Sequence, residues 1–290
     1  MPNAPHLLRV DALVRWAAKE FTNSTTPLLD ARVLAKFAFN LDDVSLIAQG
    51  DRAVDEEAAQ YFRRLVERRV RAEPVAYIVG RREFWSLDLE LSPGILVPRA
   101  DSETLVEAVL ARRAHALPHR ILDLGCGSGA LLSALLAEFP NARGLAVDID
   151  PEAVALTSRN LARLGFEGRA QALQSDWFAE VSGAFDIIVS NPPYIRTVDR
   201  SVLACEVAEY ENPIALFAGP DGLDAYRRIL AAAPPCLAPG GLVVAEFGEG
   251  QAENVKHMAE GAFPGVKTAI EKDLSGRPRA VVIDLLETRD

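Results

Sequence analysis

The chain has few of the residues that bind metals or form disulfides. It contains three cysteines and four histidines in 290 residues. Cys126, Cys205 and Cys236 lack the short spacing of metal-ligand pairs, and an odd, sparse set of cysteines is typical of a reducing compartment. Because the histidines are also scattered, we predict no metal site and no catalytic triad, and we expect a cytoplasmic protein.

Membrane and targeting signals are also absent from the sequence. Arg9, Asp11 and Arg15 interrupt the N-terminal stretch, which therefore differs from a secretory signal. Prolines and glycines interrupt the apolar stretches before any of them reaches the roughly 18 residues that a membrane helix needs. We therefore expect no membrane association.

The chain also lacks an excess of basic residues. The 41 acidic residues outnumber the 31 Lys and Arg residues, and the net charge is −10. Proteins that hold nucleic acid usually carry a basic surface, so we do not expect direct nucleic-acid binding. Hydrophobic residues make up 49% of the chain, enough for the core of a domain of about 200 residues plus a smaller one.

Residues 5–72 have helical patterns, and the clearest of these covers residues 55–70. Arg64, Arg68 and Arg71 recur at helical spacing on a face other than the apolar one. We interpret this face as solvated, with a docking surface as the alternative. We assign residues 1–82 to a helical substrate-recognition domain. The apolar stripe of the clearest helix consists of Phe62, Leu65, Val66 and Val70.

The rest of the chain has the pattern of an α/β domain. Residues 83–98 alternate in places around Ser92-Pro93-Gly94, which predicts a β-hairpin linker. Residues 99–290 alternate strands with helices, which predicts a parallel sheet. A short link at Ser275-Gly276-Arg277-Pro278 predicts that the last two strands are antiparallel neighbours. The predicted strands are residues 120–124, 144–148, 170–174, 185–190, 241–247, 264–270 and 279–286.

The segment Asn191-Pro192-Pro193-Tyr194 follows the predicted buried strand at residues 185–190. In open α/β sheets, ligands bind beyond the carboxyl ends of the strands. Each proline fixes its own φ and extends the residue before it, so the carbonyls of Asn191 and Pro192 can face outward beside the Asn191 amide oxygen. Tyr194 can stack on a flat group. The segment favours a site that grips a planar –NH2 group; a turn that merely ends the strand is the alternative.

A glycine-rich turn, Gly125-Cys126-Gly127-Ser128-Gly129, follows the strand at residues 120–124. Glycines in such a turn allow positive φ and close approach of a ligand. Their spacing differs from that of a dinucleotide site and indicates an adenosyl ligand without phosphates. Asp123 and free backbone N–H groups of the turn can meet an amino-acid part of this ligand. Asp148, at the end of the next strand, can accept hydrogen bonds from ribose hydroxyls.

Together these motifs resemble the class I S-adenosylmethionine-dependent methyltransferases, and among them the enzymes that methylate amino groups. Further segments are similar to the release factor glutamine methyltransferase family, and the resemblance extends over nearly the whole chain. That family usually has proline and threonine where this chain has Ala100 and Ser102, small changes that affect the rigidity of one loop. The similar segments are Glu73-Pro74-Val75-Ala76-Tyr77-Ile78-Val79-Gly80, Glu83-Phe84-Trp85-Ser86-Leu87, Leu96-Val97-Pro98-Arg99-Ala100-Asp101-Ser102-Glu103, Asp221-Gly222-Leu223-Asp224 and Asp273-Leu274-Ser275-Gly276-Arg277.

The resemblance implies both a fold and an activity. The fold class is α/β: a seven-stranded, mostly parallel, Rossmann-like sheet in a catalytic domain at residues 99–290, preceded by a small helical domain and a hairpin linker. The activity is methyl transfer from S-adenosylmethionine to the side-chain amide nitrogen of the glutamine in the Gly-Gly-Gln motif of peptide chain release factors. The partner is then a release factor, the product of the cofactor is S-adenosylhomocysteine, and we expect a monomer.

The resemblance also assigns the site residues. Asn191 and Pro192 would be catalytic, and with Pro193 and Tyr194 they would bind the target amide. Trp177 would stack on the adenine, with a core tryptophan as the alternative. The cofactor-binding set is Asp123, Gly125, Cys126, Gly127, Ser128, Gly129, Asp148, Trp177 and Asn191.

Other functions remain open at this point. A ribosomal-protein glutamine could be the methyl acceptor in place of a release factor. An adenine-N6 nucleic-acid methyltransferase would share the Asn191-Pro192-Pro193-Tyr194 segment. A binding module built on an inactive methyltransferase fold is disfavoured because the motifs are intact.

Overall fold

The structure, a computed structural model, describes residues 9–113 and 118–288. Residues 5–8 of the predicted helical region lie outside this part. The chain divides into two compact units: Met1–Arg81 with Ala204–Tyr210, and Arg82–Leu203 with Glu211–Asp290. No described helix combines the length and the apolar character that crossing a bilayer requires.

The described residues form twelve α-helices, three short 3₁₀ segments and nine strands. The helices are α1 Val10–Glu20, α2 Pro27–Phe39, α3 Asp43–Ala48, α4 Glu56–Val70, α5 Val75–Val79, α6 Glu103–Arg113, α7 Ala130–Glu138, α8 Pro151–Arg163, α9 Cys205–Tyr210, α10 Pro213–Leu216, α11 Asp224–Ala232 and α12 Ala252–Ala262. The 3₁₀ segments are Ala100–Ser102, Thr197–Val202 and Pro234–Cys236. The strands are β1 Arg81–Phe84, β2 Leu87–Glu90, β3 Arg120–Leu124, β4 Arg143–Asp148, β5 Ala170–Gln174, β6 Phe185–Ser190, β7 Leu237–Glu246, β8 Val266–Lys272 and β9 Pro278–Thr288.

The first unit contains helices α1–α5, which share one apolar core, and helix α9. Helix α4 begins where the Asp55 side chain accepts a hydrogen bond from the Ala58 N–H at 2.8 Å, which caps the helix N-terminus. Phe62, Leu65 and Val66 of the predicted stripe are buried, and Val70 packs against the same core. The prediction of a helix over residues 55–70 is therefore confirmed.

A buried ion pair lies within the first unit. Arg69 Nε donates to Asp30 Oδ2 at 2.8 Å, and both side chains are almost fully buried. Arg69 Nη1 also donates to Glu206 of α9 at 2.7 Å. Losing either partner of a buried ion pair leaves an uncompensated charge, so this cluster links α9, which lies far away in the sequence, to the helices before residue 82.

The three arginines of the predicted basic face differ in their contacts. Arg68 is paired with Glu73 at 2.8 and 2.5 Å, so its charge is largely neutralised. Arg64 and Arg71 are exposed, and the Arg64 guanidinium lies 5.7 Å from the centre of the Tyr61 ring. Arg64 and Arg71 are therefore the two members of this face whose charge a partner can reach.

The second unit contains a seven-stranded sheet in the order β5-β4-β3-β6-β7-β9-β8. All pairings are parallel except those of β9, which runs antiparallel to both of its neighbours. The alternation of strands and helices and the antiparallel last strand are confirmed. Two apolar clusters cover the two faces of the sheet, one including α6 and α7 and the other including α11 and α12. Strands buried on both faces are typical of parallel sheets.

The register of the sheet aligns four strand ends. Leu124 pairs with Val147 and with Ser190, and Ser190 pairs with Ala245. The residue that follows each of these four therefore lies at the same carboxyl edge of the sheet. Open α/β sheets bind their ligands at this edge. These next residues are Gly125, Asp148, Asn191 and Glu246.

The hairpin forms, but the position predicted for its turn is wrong. Strands β1 and β2 pair across Trp85 and Ser86, and the pairing ends before Ser92-Pro93-Gly94. Both turn residues have positive φ, 52° and 57°. This conformation usually requires glycine or asparagine, and neither residue is present in the turn, so the sequence does not indicate it. Contacts from elsewhere hold this turn: Glu103 accepts from the Trp85 backbone N–H at 3.0 Å, and Glu138 accepts from its indole N–H at 2.7 Å.

Candidate active site

A cavity of about 320 Å³ opens at the carboxyl edge of the sheet. Its wall includes the turn Gly125-Cys126-Gly127-Ser128, Asp148, Trp177 and Asn191. Ile95 and Leu96 belong to the apolar part of the wall. Residues 91–98 therefore line the cavity as well as linking the hairpin to the rest of the unit.

The backbone of the glycine turn is bonded within the protein. The N–H groups of Gly125 and Cys126 both donate to the Val147 carbonyl, at 2.8 and 3.0 Å. The N–H of Gly127 donates to Asp148, and the N–H of Gly129 donates to the Cys126 carbonyl at 2.7 Å. The expectation of free N–H groups is therefore wrong for these four residues, because the turn continues the hydrogen bonding of β3 to β4.

Gly129 has a structural reason to be glycine. Its φ is +78°, and a Cβ atom there would lie only 2.8 Å from Thr157 Cγ2 of α8. Thr157 also donates from its hydroxyl to the Gly127 carbonyl at 3.0 Å, and the Ser128 carbonyl accepts from Asn160 at 2.9 Å. Helix α8 thus supports the turn from behind.

Cys126 is a buried member of the same turn. Its Sγ lies 3.4 Å from the Thr157 hydroxyl oxygen, and burial raises the pKa of the thiol well above its usual range. A neutral, buried thiol is a poor nucleophile. Cys126 therefore contributes a small side chain to the cavity wall, and no covalent chemistry is expected there.

Asp148 is held at the cavity by two backbone N–H groups. Oδ2 accepts from Gly127 at 2.9 Å and Oδ1 accepts from Asp150 at 3.0 Å. Burial raises the pKa of this carboxyl, and the two donors oppose that effect. Each carboxylate oxygen has a second lone pair. Asp148 is therefore oriented so that it can accept from two further donors, such as the hydroxyls of a ribose.

Asp123 lies behind the glycine turn and is not among the residues that line the cavity. Its Oδ2 accepts from the Leu132 N–H at 3.2 Å, whereas Oδ1 has no partner among the described residues. Burial raises the pKa of Asp123 from 3.8 to about 7, and the nearby Asp148 adds to the effect. Its predicted contact with the cofactor stays a prediction.

Trp177 lines the cavity next to the glycine turn. Its ring carbon Cζ3 is 3.7 Å from the position that a Cβ would take on Gly125, so the indole lies against the turn. Trp177 has φ +54°, and its carbonyl accepts from the Ser175 hydroxyl at 2.8 Å, which stabilises this conformation. The indole offers a flat apolar surface that suits an adenine ring.

The side chain of Asn191 is oriented by a neighbouring side chain. Its Nδ2 donates to Ser102 Oγ at 2.9 Å, and Ser102 in turn donates to Glu246 Oε2 at 2.5 Å. No described residue donates to Asn191 Oδ1 or to the backbone carbonyls of Asn191 and Pro192. These three oxygens are thus unbonded, and of the two residues that carry them Asn191 lines the cavity.

The remaining residues of the segment have different surroundings. Pro193 lines the cavity, but Pro192 and Tyr194 are not among the described residues of its wall. Tyr194 donates from its hydroxyl to Glu246 Oε1 at 3.2 Å, and burial raises its pKa. Its predicted stacking on the target amide stays a prediction.

Position 222 requires glycine because it lies against the backbone of Tyr194. A Cβ on Gly222 would lie 2.3 Å from the Tyr194 carbonyl oxygen, and the φ of Gly222 is +74°. The same carbonyl accepts from the Gln251 side chain at 2.9 Å. The Asp221-Gly222-Leu223-Asp224 segment therefore packs against the end of the Asn191-Pro192-Pro193-Tyr194 segment.

The sequence analysis missed Ser102, Glu246 and Ile95 as site residues. Glu246 had a detectable signal, an acidic residue at the end of a strand whose neighbour carries Asn191. Ser102 and Ile95 had none, because their positions depend on where the segment after the hairpin lies. Only the tertiary structure brings Ser102 beside Asn191, 89 residues further along the chain.

The groups at the cavity fit S-adenosylmethionine. Asp148 offers acceptors to ribose hydroxyls, and Trp177 with Ile95 offers apolar surface to an adenine. The unpartnered Asp123 oxygen lies close behind the turn, and a ligand that carries positive charge would favour the ionised form of this carboxyl. The mostly parallel seven-stranded sheet with this cavity at its carboxyl edge defines the protein as a class I methyltransferase in fold.

Comparison with known proteins agrees with this class. Residues 100–207 match the family described as methyltransferase small domain, and residues 12–80 match the PrmC N-terminal domain. The solved hMettl16 catalytic domain, in complex with the MAT2A 3'UTR hairpin 6, covers 69% of this chain and 75% of its own with a TM-score of 0.56. At 16% identity this likeness shows the shared fold.

The chain belongs to the release factor glutamine methyltransferase family. The enzyme of that name from Rhodospirillum rubrum is 46% identical over 258 residues, which cover 88% of this chain and 78% of the relative. The one from Bradyrhizobium diazoefficiens is 42% identical over 257 residues, covering 87% and 86%. The one from Geobacter sulfurreducens is 43% identical over 231 residues, covering 79% and 80%. The resemblance seen in the motifs is confirmed.

Proposed function

We propose that this protein transfers a methyl group from S-adenosylmethionine to the side-chain amide nitrogen of the glutamine in the Gly-Gly-Gln motif of a peptide chain release factor. The observation that carries the proposal is the arrangement at Asn191. Its amide nitrogen is bonded to Ser102, and its amide oxygen and the Pro192 carbonyl remain as acceptors. A primary amide can donate two N–H bonds from one nitrogen, which matches a pair of acceptors.

The acceptors around Asn191 orient the target nitrogen. An amide nitrogen is a poor nucleophile because its lone pair is delocalised into the carbonyl group. S-adenosylmethionine supplies, when bound, a methyl group on a sulfonium that is already activated for transfer. The protein therefore has to align the nitrogen, and alignment of this kind can lower a barrier by about 7–11 kcal/mol in favourable cases.

The same acceptors stabilise charge. Positive charge develops on the nitrogen as the new bond forms, and hydrogen bonds from its N–H groups to Asn191 Oδ1 and the Pro192 carbonyl disperse that charge. The new N–CH3 bond forms as the S–CH3 bond breaks, and the cationic N-methylated amide then loses its proton to solvent. A strong base is unnecessary because an amide protonated on nitrogen is itself a strong acid. Pro193 and the apolar residues of the wall exclude water from this end of the cavity.

We assign cofactor binding to the carboxyl ends of β3, β4 and β5. Asp148 accepts from the ribose hydroxyls, Trp177 flanks the adenine, and the turn from Gly125 to Gly129 shapes the cavity floor. Behind the turn, the positive charge of the bound cofactor would favour ionisation of Asp123, whose pKa burial raises to about 7. We expect the enzyme to act as a monomer in the cytoplasm and to need no metal; these remain predictions.

The proposal is tested with intact release factor and methyl-labelled S-adenosylmethionine. After incubation, the release factor is digested, and mass spectrometry locates the labelled methyl group. We expect it on the glutamine of the Gly-Gly-Gln motif, and we expect none on a release factor in which that glutamine is replaced by alanine. The Asn191→Ala enzyme serves as the control for background labelling.

Two other results would redirect the assignment. Label on a glutamine of a ribosomal protein, with none on the release factor, would favour the sister activity. Label recovered as N6-methyladenine from added DNA or RNA would favour a nucleic-acid methyltransferase. Offering all of these substrates to the same enzyme preparation makes the comparison direct.

A further inference from the structure

We propose that Ser102 and Glu246 are positioning residues that hold the Asn191 side-chain amide with its oxygen directed at the target nitrogen. The proposal rests on the proposed function, because it concerns the group that meets the target amide. It assigns a role to two side chains that come from separate parts of the second unit, the 3₁₀ segment before α6 and the end of β7.

The geometry is a chain of hydrogen bonds that ends at Asn191. Glu246 Oε2 is 2.5 Å from Ser102 Oγ, and Ser102 Oγ is 2.9 Å from Asn191 Nδ2. Ser102 and Glu246 are buried, with exposed fractions of 4% and 1%. Water therefore has little access to these bonds, and their directions are set by the protein.

An ionised carboxylate fixes the direction of every bond in the chain. Ionised Glu246 can only accept, so the Ser102 hydroxyl has to donate to it. The Ser102 oxygen is then left to accept, and of the two ends of the Asn191 amide only the nitrogen can donate. The amide oxygen is consequently placed on the opposite side. One negative charge thus selects the orientation of a side chain that it does not touch.

The surroundings of Glu246 are consistent with an ionised group. Its two oxygens accept from two hydroxyls, those of Ser102 and Tyr194. Its backbone carbonyl accepts from the Tyr226 hydroxyl at 2.5 Å. Burial raises the pKa of the carboxyl, whereas the Ser102 and Tyr194 bonds and the positive charge of Arg279 oppose that rise.

The charged groups around this carboxyl are one arginine and two further carboxyls. Arg279 pairs with Asp101 at 2.9 Å and with Asp273 at 3.3 Å. Asp101 slightly favours the protonated form of Glu246, and Arg279 favours the ionised form. The one positive charge close to Glu246 is thus shared with two other carboxylates, so the bonds from the Ser102 and Tyr194 hydroxyls carry much of the stabilisation of an ionised Glu246.

Losing the orientation would be costly for the reaction. If the Asn191 amide turned over, its N–H groups would face the N–H groups of the target amide. Two donors facing each other form no hydrogen bond, and the charge that develops on the target nitrogen would be opposed. Removing the Ser102 hydroxyl lets the amide adopt either orientation.

The kinetic test begins with Ser102. We expect Ser102→Ala to lower kcat about 10- to 100-fold, the range associated with a misplaced catalytic group, and to leave the Kd of S-adenosylmethionine unchanged. Ser102→Thr keeps the hydroxyl and should recover most of the rate. Glu246→Gln should also lower kcat, because the new amide can donate to Ser102 and reverse the chain.

A double variant tests whether Ser102 acts through Asn191. If it does, Ser102→Ala combined with Asn191→Ala should be no slower than Asn191→Ala alone. Losses that multiply would overturn the proposal. Ser158→Ala is the matched control, since it removes one serine hydroxyl bond, to the Val154 carbonyl at an exposed position of α8, and leaves the chain to Asn191 intact; its kcat should stay near wild type.

A spectroscopic test does not depend on the reaction. In protein labelled with ¹⁵N-asparagine, the Asn191 side-chain NH2 signals are identified by their loss in Asn191→Ala. We expect one of its protons to be shifted downfield and protected from exchange in wild type and in Ser102→Thr, and to lose both properties in Ser102→Ala. Identical signals in wild type and Ser102→Ala would overturn the proposal even if the release factor proved not to be the substrate.

Discussion

Two halves of the same sheet edge hold their polar groups in different ways. The half that we assign to the cofactor, called the cofactor half, lies at the ends of β3 and β4 and presents Asp148, which is fixed by backbone N–H groups of Gly127 and Asp150. The half that we assign to the methyl acceptor, called the target half, lies at the ends of β6 and β7 and presents Asn191, which is fixed by the Ser102 side chain. Backbone donors come with the local chain conformation, whereas side-chain donors depend on distant packing. Single substitutions that leave the fold intact can therefore change the orientation of Asn191 in the target half.

The largest expected effect is in the target half. Asn191→Ala should lower kcat about 10²- to 10³-fold, because it removes an acceptor that becomes stronger as charge forms on the target nitrogen. The Kd of S-adenosylmethionine should change little. Single-turnover methyl transfer and calorimetry measure the two quantities separately. Methyl transfer at the wild-type rate would remove Asn191 from the mechanism.

A substitution in the cofactor half should weaken the binding of S-adenosylmethionine. Asp148→Ala removes acceptors for the ribose hydroxyls, and we expect it to weaken S-adenosylmethionine binding by about 1–3 kcal/mol. Calorimetry on the folded variant measures this loss, and Asp88→Ala, at an exposed ion pair with Arg163, is a suitable control. An unchanged affinity would contradict the assignment of Asp148 to the ribose.

Asp123 allows a pH test of the cofactor half. Its folded-state pKa is raised to about 7 from 3.8, so folding favours the protonated form. Stability from this group is therefore full at low pH and is lost as the pH rises towards 7. Asp123→Asn removes the titration, so the stability of the variant relative to wild type should increase by about 2 kcal/mol between about pH 5.5 and about pH 8.

Denaturant unfolding at several pH values checks the Asp123 prediction. A constant difference between variant and wild type across that range would mean that Asp123 titrates normally. Repeating the series with S-adenosylmethionine asks whether the ligand lowers the pKa of Asp123. A positive charge near the carboxyl would favour its ionised form and reduce the difference.

The smallest expected effect concerns the first unit, where we keep the proposal that residues 1–82 recognise the partner. Arg64→Glu combined with Arg71→Glu should slow methylation of intact release factor about fivefold, equivalent to about 1 kcal/mol. A short Gly-Gly-Gln peptide should be methylated at the wild-type rate. Arg159→Glu, an exposed change in the second unit, is the control. Equal losses on both substrates would argue against docking.

The residues of the cofactor half could be predicted from the sequence because they lie next to one another in the chain or on neighbouring strands. Gly125 to Gly129 and Asp148 are held by contacts across the neighbouring strands β3 and β4, which periodicity and glycine spacing locate. The seven strands and the antiparallel last pair were predicted for the same reason. The free N–H groups were predicted wrongly, since a spacing pattern does not show which carbonyl a turn will bond.

By itself the sequence determined the order of strands and helices, the strand-end positions of Asp148 and Asn191, and the family. These depend on short-range patterns of apolar residues, glycine and proline. Only the tertiary structure decided the turn at Trp85 and the orientation of the Asn191 amide. Both depend on side chains that arrive from far along the chain, such as Glu138 at Trp85, and Glu246, which is 144 residues from Ser102. A contact of this kind forms when the sheet and its helices pack, so it leaves no pattern in the neighbouring residues.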